Sequence, residues 1–248
     1  LSNIKKWVYD VGVEIMDIYP NILAAWESTL SRRQKELWVV VLDIGSSATN
    51  VAVYEEGSLI YASVIHIGGE HVTSDLALGL RISIDTAERL KIEEWNLAFG
   101  QGMKSDYDEE IDLSRMSNID TITVSRKFMN EIIRARYEEI FHHVNMELKK
   151  VGRDGMLPEG AILTGWAAKM RGLVELAREY MRLPASVGIP ENIDGISGTS
   201  ISDPIYSAVI GNLLLMQKYG TAKRPFKIHF SPWNLLASLK NFMKKMIP

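Results

Sequence analysis

Leu37 to Asp43 is a continuous apolar run with no polar face, which predicts a strand buried on both sides. Two more strand patterns follow at Asn50–Tyr54 and Leu59–Ile67, joined through the turn Glu55-Glu56-Gly57-Ser58. The period then becomes helical over His71–Leu80 and Thr86–Ile92. Upstream, Ile4–Val13 and Asn21–Thr29 read as helices, the second preceded by Pro20. Gln101–Thr121 is polar and acidic and predicts a loop carrying one or two short strands. Ser125–Lys150 is the longest predicted helix. Phe128, Ile132, Ile133, Tyr137, Ile140, Phe141 and Val144 recur at helical spacing behind the N-cap Ser125. A strand at Ala161–Thr164, a helix at Gly172–Met181, a strand at Ala185–Val187, a glycine-containing loop at Pro190–Thr199 and an apolar helix at Pro204–Met216 complete the pattern. Strands alternating with long helices predict an α/β domain.

The chain closes on a different pattern. After a basic linker, Gln217–Phe230, the residues Trp233, Leu235, Leu236, Leu239, Phe242, Met243, Met246 and Ile247 fall mostly on one helical stripe. Lys240, Lys244 and Lys245 occupy the other side, and Ser231-Pro232 supplies an N-cap and a first-turn proline. This amphipathic helix, residues 231–248, is too short to span a bilayer; its stripe suits an anionic membrane surface or docking on the protein's own core, and the linker, the basic polar face and the position at the chain end favour the membrane. Lys218, Lys223, Arg224 and Lys227 of the linker add attraction to such a surface.

Composition narrows the classes. Of 248 residues, 46% are hydrophobic and 24% charged, enough for a sizeable core. A formal net charge of -3 argues against nucleic acid as a partner. There are no cysteines, so no disulfide framework and no thiolate metal site is available. The chain opens on Leu1 in sequence that already reads as folded interior, so a fragment is expected. His66, His71, His142, His143 and His229 show no metal-ligand spacing, and Arg134, Arg136, Glu138 and Glu139 read as a solvated helix face.

Candidate chemistry collects where strands end in small residues. Asp43-Ile44-Gly45-Ser46-Ser47-Ala48-Thr49 ends the buried strand and turns sharply. Successive backbone N–H groups in such a turn form a concave anion site. A carboxylate beside an anion needs a cation between them, so Asp43 is a candidate Mg²⁺ ligand, directly or through water. A hairpin turn with a capping aspartate explains the local pattern equally well. Gly68-Gly69 and Gly165 mark two more strand ends, and three such turns suggest one crevice at the sheet's carboxyl edge.

The stretches "VVVLDIGSSATNVAVYEEGSLIYASVIHIGGEHVTSDLALGLRISIDTAERLK", "LPEGAILTGWAAKMRGLVELAREYMRLPASVGIPENIDGIS" and "DPIYSAVIGNLLL" resemble the actin, heat-shock chaperone and sugar-kinase superfamily and, within it, the FtsA family of bacterial cell-division proteins. The resemblance implies an α/β actin-like (ribonuclease H-like) ATPase fold, present in part: the second half of the module plus the terminal helix. Residues 1–36 would close the first domain, and 37–216 would form the second, with 93–160 as its outer subdomain. It implies ATP and Mg²⁺ as ligands. Asp43, Gly45, Ser46, Ser47 and Thr49 match the loop around the phosphates and metal, and Gly68 and Gly69 the turn that closes on them. Glu88 and Lys91 match a helical pair beside the adenosine, although spacing alone reads as a solvated ion pair. Gly165, Trp166 and Ala167 match the turn against the nucleoside.

The sequence departs from the family at Ser46, Ser47, Asn50 and Trp166, where the usual residues are glycines and an aspartate. An indole at Trp166 is compatible with stacking on adenine or with blocking it. The first phosphate loop of the superfamily is absent, so hydrolysis by this chain alone is not expected. The resemblance further implies a polymerising scaffold with FtsZ, itself and other division proteins as partners, peripheral on the cytoplasmic face of the membrane at the septum. It places the helix opening with Arg126 and Lys127 in the subdomain that meets FtsZ. A small-molecule kinase of the superfamily and an actin-like pilus-assembly platform are the alternatives.

Overall fold

The structure is a computed structural model that describes residues 2–95, 109–114, 123–190 and 201–219. The predicted terminal helix with Trp233, Leu235, Leu236, Leu239, Lys240, Phe242, Met243, Lys244, Lys245 and Met246 therefore lies outside the described residues. So do linker residues 220–230, loop residues 191–199 and most of Gln101–Thr121.

Leu1–Lys218 forms one compact unit around a five-stranded sheet. The sheet order is β3-β2-β1-β6-β7, with β1 at Val39–Ile44, β2 at Thr49–Glu55, β3 at Ser58–Ile65, β6 at Ala161–Thr164 and β7 at Ala185–Val187. β1, β2 and β3 pair antiparallel, whereas β1–β6 and β6–β7 are parallel. The apolar run of β1 reflects this central position. Val40, Leu42 and Ile44 point into the larger core, and Val39 and Val41 into a smaller one on the opposite face.

The larger core is covered by α4 (Gly69–Leu80), α5 (Ile84–Glu94), α6 (Arg126–Lys150) and α7 (Leu173–Met181). Ile111 and Val124 join the same cluster from the short hairpin β4 (Glu110–Asp112) and β5 (Thr123–Ser125). The described part of 93–160 thus packs into the sheet's own core. Ser125 caps α6 as predicted, its hydroxyl accepting from the Phe128 N–H at 3.4 Å.

The smaller core is roofed by α2 (Asn21–Thr29), and α8 (Ser207–Tyr219) crosses it. α8 runs to Tyr219, past the Gln217 at which the predicted linker starts. The α2–α8 crossing depends on Gly211: a Cβ there would overlap the Ala24 carbonyl. Replacing Gly211 with Ala is expected to lower stability by about 1–3 kcal/mol, seen as a lower urea midpoint. Ser28 ties down the start of α8, donating to the Ser207 carbonyl at 2.7 Å, and Thr164 holds the turn before it, donating to the Pro204 carbonyl at 3.0 Å.

Two helices depart from expectation. α1 (Ser2–Asp10) stops before Val13 and buries none of its residues. A short α3 (Arg32–Glu36) was not predicted, yet its signal is in the sequence. Ser31 and Gln34 form a reciprocal capping box, with Gln34 N–H to Ser31 Oγ at 3.3 Å and Ser31 N–H to Gln34 Oε1 at 3.0 Å. No helix among the described residues is long and apolar enough to cross a membrane.

Candidate functional site: a cleft at the carboxyl edge of the sheet

A cleft of about 570 Å³ opens beside the ends of β1 and β6. Gly45 and Ser46 reach it from the β1–β2 turn, and Trp166 and Ala167 from the turn after β6. Gly69, Glu70, Thr73 and Ser74 come from α4, and Ile84, Asp85, Glu88, Lys91, Ile92 and Trp95 from α5 and its end. Tyr137 of α6 completes the wall. Parallel neighbours β1 and β6 deliver their following loops to one edge, so residues far apart in sequence converge there.

The β1–β2 turn leaves a row of backbone donors open. Gly45 N–H donates to the Ala48 carbonyl at 2.9 Å and closes the turn. The next three N–H groups, of Ser46, Ser47 and Ala48, donate to no acceptor among the described residues. The Ser46 and Ser47 side chains are exposed. From the other side α4 is clamped onto this turn: Gly69 N–H donates to the Gly45 carbonyl at 2.9 Å, and Glu70 N–H to the Ser46 carbonyl at 2.8 Å. The leading amides of α4 are thus engaged with the protein, and the open donors belong to the turn. His71 Nδ1 accepts the Gly68 N–H at 3.2 Å and steadies the approach. Gly68 packs so tightly that a Cβ would lie 2.5–2.8 Å from Ser46 O, Gly45 O and Ala48 N.

Behind the turn, Asp43 is half-buried and accepts from Asn50 Nδ2 at 3.2 Å. Burial pushes its carboxyl above the usual carboxylate range, against the opposing pull of the Asn50 hydrogen bond. Gly165, at φ +85°, abuts it: a Cβ there would lie 2.6 Å from Asp43 Oδ1. Thr49 faces elsewhere. It is fully buried, and its hydroxyl donates to the Ile67 carbonyl at 2.8 Å, joining the start of β2 to the chain beyond β3. Asp43, Ser47, Thr49, Gly68 and Gly165 do not line the cleft; Asp43, Gly68 and Gly165 stand directly behind its lining.

Glu88 and Lys91 are more than a solvated pair. Lys91 Nζ reaches Glu88 Oε2 at 2.7 Å, Thr73 Oγ1 at 2.8 Å and the Gly69 carbonyl at 3.2 Å. The Lys91 side chain is only 12% exposed, whereas that of Glu88 is 44% exposed. Burial would raise the Glu88 carboxyl, but hydrogen bonds from Lys91 and Thr73 outweigh it and hold the group below its ordinary value. The network fastens α5 to the first turn of α4, which is itself clamped onto the β1–β2 turn. Thr73 has no motif signal of its own. Tyr137, one residue of a regular helical stripe, gave no hint that it reaches the cleft.

A hard cation fits this donor set. Asp43 supplies one carboxylate, Asn50 fixes its orientation, and no group of three or more His, Cys, Asp or Glu suited to a metal occurs among the described residues. Mg²⁺ typically takes one or two carboxylates plus ligand phosphates and water, which matches a single acid beside an open anion turn.

Two surface readings change. Arg134 and Arg136 are bridges between helices rather than a solvated face. Arg136 forms a two-pronged pair with Asp75 of α4 at 2.6 and 2.9 Å, and Arg134 bonds Glu179 of α7 at 3.1 Å. Arg126 is also engaged, bonding Glu94 and Glu109 at 2.8 Å each.

Strand order and cleft together define an actin-like ATPase fold. The structure of MreB5 of Spiroplasma citri bound to ADP superposes with a TM-score of 0.69 at 17% identity, over 88% of this chain and 64% of that one. The PilM-PilN type IV pilus biogenesis complex gives a TM-score of 0.59 at 16% identity, over 86% and 56%. The chain belongs to the family of the cell division protein FtsA, whose sequence profile matches residues 40–211. It is 35% identical over 223 residues to the cell division protein FtsA of Pseudomonas aeruginosa, covering 90% of this chain and 52% of that protein. The corresponding protein of Bacillus subtilis is 34% identical over 211 residues, covering 85% and 46%. The chain thus spans about half the length of these relatives.

Proposed function

We propose that this chain is the nucleotide-cradling half of an actin-like cell-division scaffold that takes ATP with Mg²⁺. The observation that carries the reading is the turn at Ser46, Ser47 and Ala48, whose N–H groups donate to no acceptor among the described residues and which reaches the cleft through Gly45 and Ser46. These amides would hold the terminal phosphates. Asp43 would hold Mg²⁺ through water, and the Glu88–Lys91–Thr73 network would flank the nucleoside. Bound Mg²⁺ would neutralise phosphate charge and bridge it to the protein. Structures of the same fold bound to ADP and to AMPPNP support a nucleotide in this cleft. Titration calorimetry with MgATP, on protein from the complete open reading frame, tests this. Heat of binding that disappears when Mg²⁺ is chelated is the expected result, and no binding refutes the reading.

The scaffold would polymerise on itself and tether FtsZ filaments to the cytoplasmic face of the membrane at the septum, together with other division proteins. Family membership supports the division role. The lysine-flanked apolar stripe from Trp233 to Met246 supports the membrane role, and multivalency in a polymer would amplify a weak single anchor. Deleting residues 232–248 is expected to abolish co-sedimentation with anionic vesicles; unchanged sedimentation refutes the membrane assignment. Arg126, occupied by Glu94 and Glu109, is poorly placed to meet an acidic FtsZ segment unless those pairs open.

A further inference from the structure

Trp166 stands where the family resemblance implies glycine, and its surroundings decide between the two roles open to an indole there. The turn that carries it is rigidly placed. Gly165 adopts φ +85° against Asp43 and Ile44, where no side chain fits. Ala167 and Ala168, the next two residues, are buried in the main core. Between these anchors Trp166 is 59% exposed and lines the cleft. It belongs to neither core cluster, so packing does not account for it. Its recorded partner is Lys169, whose ammonium lies 5.6 Å from the ring centroid while bonded to Asp203 at 2.6 Å. Ile84, Ile92 and Trp95 supply further apolar lining to the same cleft. The polar groups nearby, Glu88, Lys91 and Thr73, already bond one another.

We infer that Trp166 is a specificity-determining residue that stacks on the nucleobase, so that this site selects purine over pyrimidine nucleotides by ring area. The inference rests on the nucleotide reading of the cleft. An exposed aromatic face held by a stiff turn loses little conformational freedom on binding, and stacking strength grows with the size of the ring it meets. With Lys91 and Thr73 held in that network, contact with the ring face outweighs hydrogen bonding to the base edge in this part of the site.

The test uses protein from the complete open reading frame and compares Trp166→Ala and Trp166→Phe with the parent. Trp166→Ala is expected to weaken MgATP binding roughly tenfold, the lower part of the range for one base–aromatic stack. It should weaken MgUTP less and leave magnesium tripolyphosphate, which has no base, unchanged. Trp166→Phe should recover most of the MgATP affinity. Melting temperatures within a degree or so of the parent's are expected from so exposed a side chain. MgATP binding to Trp166→Ala that equals or exceeds the parent's overturns the inference, the second case meaning that the indole obstructs the site. Equal losses for MgATP, MgUTP and tripolyphosphate also overturn it, because a loss without base dependence is structural. A parent protein that binds tripolyphosphate and no nucleotide refutes stacking and spares the anion turn; a parent that binds neither refutes the nucleotide reading itself.

Discussion

Gly68→Ala is expected to abolish measurable nucleotide binding and to destabilise the fold by about 3–5 kcal/mol. The added methyl would lie 2.5 Å from Ser46 O, 2.6 Å from Gly45 O and 2.8 Å from Ala48 N, all backbone atoms. No rotamer change relieves a clash with backbone, so the turn or the start of α4 must move. Either movement breaks the bonds from Gly69 N–H to Gly45 O and from Glu70 N–H to Ser46 O. Two such bonds at about 1 kcal/mol each, added to an overpacking penalty of about 1–3 kcal/mol, give the stated size. The backbone at Gly68 is extended, with φ -155°, so the effect comes from contact and not from a forbidden conformation. Urea unfolding and MgATP calorimetry on the same variant check both halves. A variant with the parent's urea midpoint would show that the α4–turn clamp is not tight.

Asp43→Asn is expected to act in opposite directions on stability and on binding. Burial raises the Asp43 carboxyl above its unfolded value, so in the unliganded protein its ionised form opposes folding. The opposition is absent at pH values below the unfolded pKa, grows as pH rises toward the folded pKa, and stays constant above it. Neutral Asn removes the term while its Oδ1 still accepts from Asn50. Unliganded Asp43→Asn should therefore melt above the parent at pH 7, and the gain should vanish near pH 3. Magnesium-dependent nucleotide affinity should fall about 10–100-fold, the range for losing a metal-supporting carboxylate. Normal MgATP binding would remove Asp43 from the metal role, and melting below the parent at pH 7 would show that its buried carboxylate does not oppose folding.

Much of this architecture is legible in local pattern. The apolar run at Leu37–Asp43 announces a strand covered on both faces, because a core packs against each side of the sheet there. Ser125 announces the start of α6 because its hydroxyl satisfies a first-turn amide without help from distant sequence. Gly68 and Gly165 are readable as turns at strand ends; that a Cβ there would strike neighbouring backbone and Asp43 comes only from the packing. The Ser31–Gln34 capping box was equally readable and announces α3.

Other features depend on what arrives from elsewhere. Thr49 carries a hydroxyl in a phosphate-loop motif, yet the strand alternation turns it inward to the Ile67 carbonyl, eighteen residues on. Glu88 and Lys91 share a helical face by spacing, but Thr73 and the Gly69 carbonyl, which convert them from a surface pair into a strut, belong to another helix. Arg126, Arg134 and Arg136 look alike in sequence, and each is paired by acids from a separate element. By itself the sequence determined element types, turn positions and the family, because these follow from side-chain period, backbone sterics and motif order within short windows. Only the tertiary structure decided which donors stay open and which are consumed, because a hydrogen bond needs its partner within about 3 Å, and here those partners are brought together by packing from the far ends of the chain.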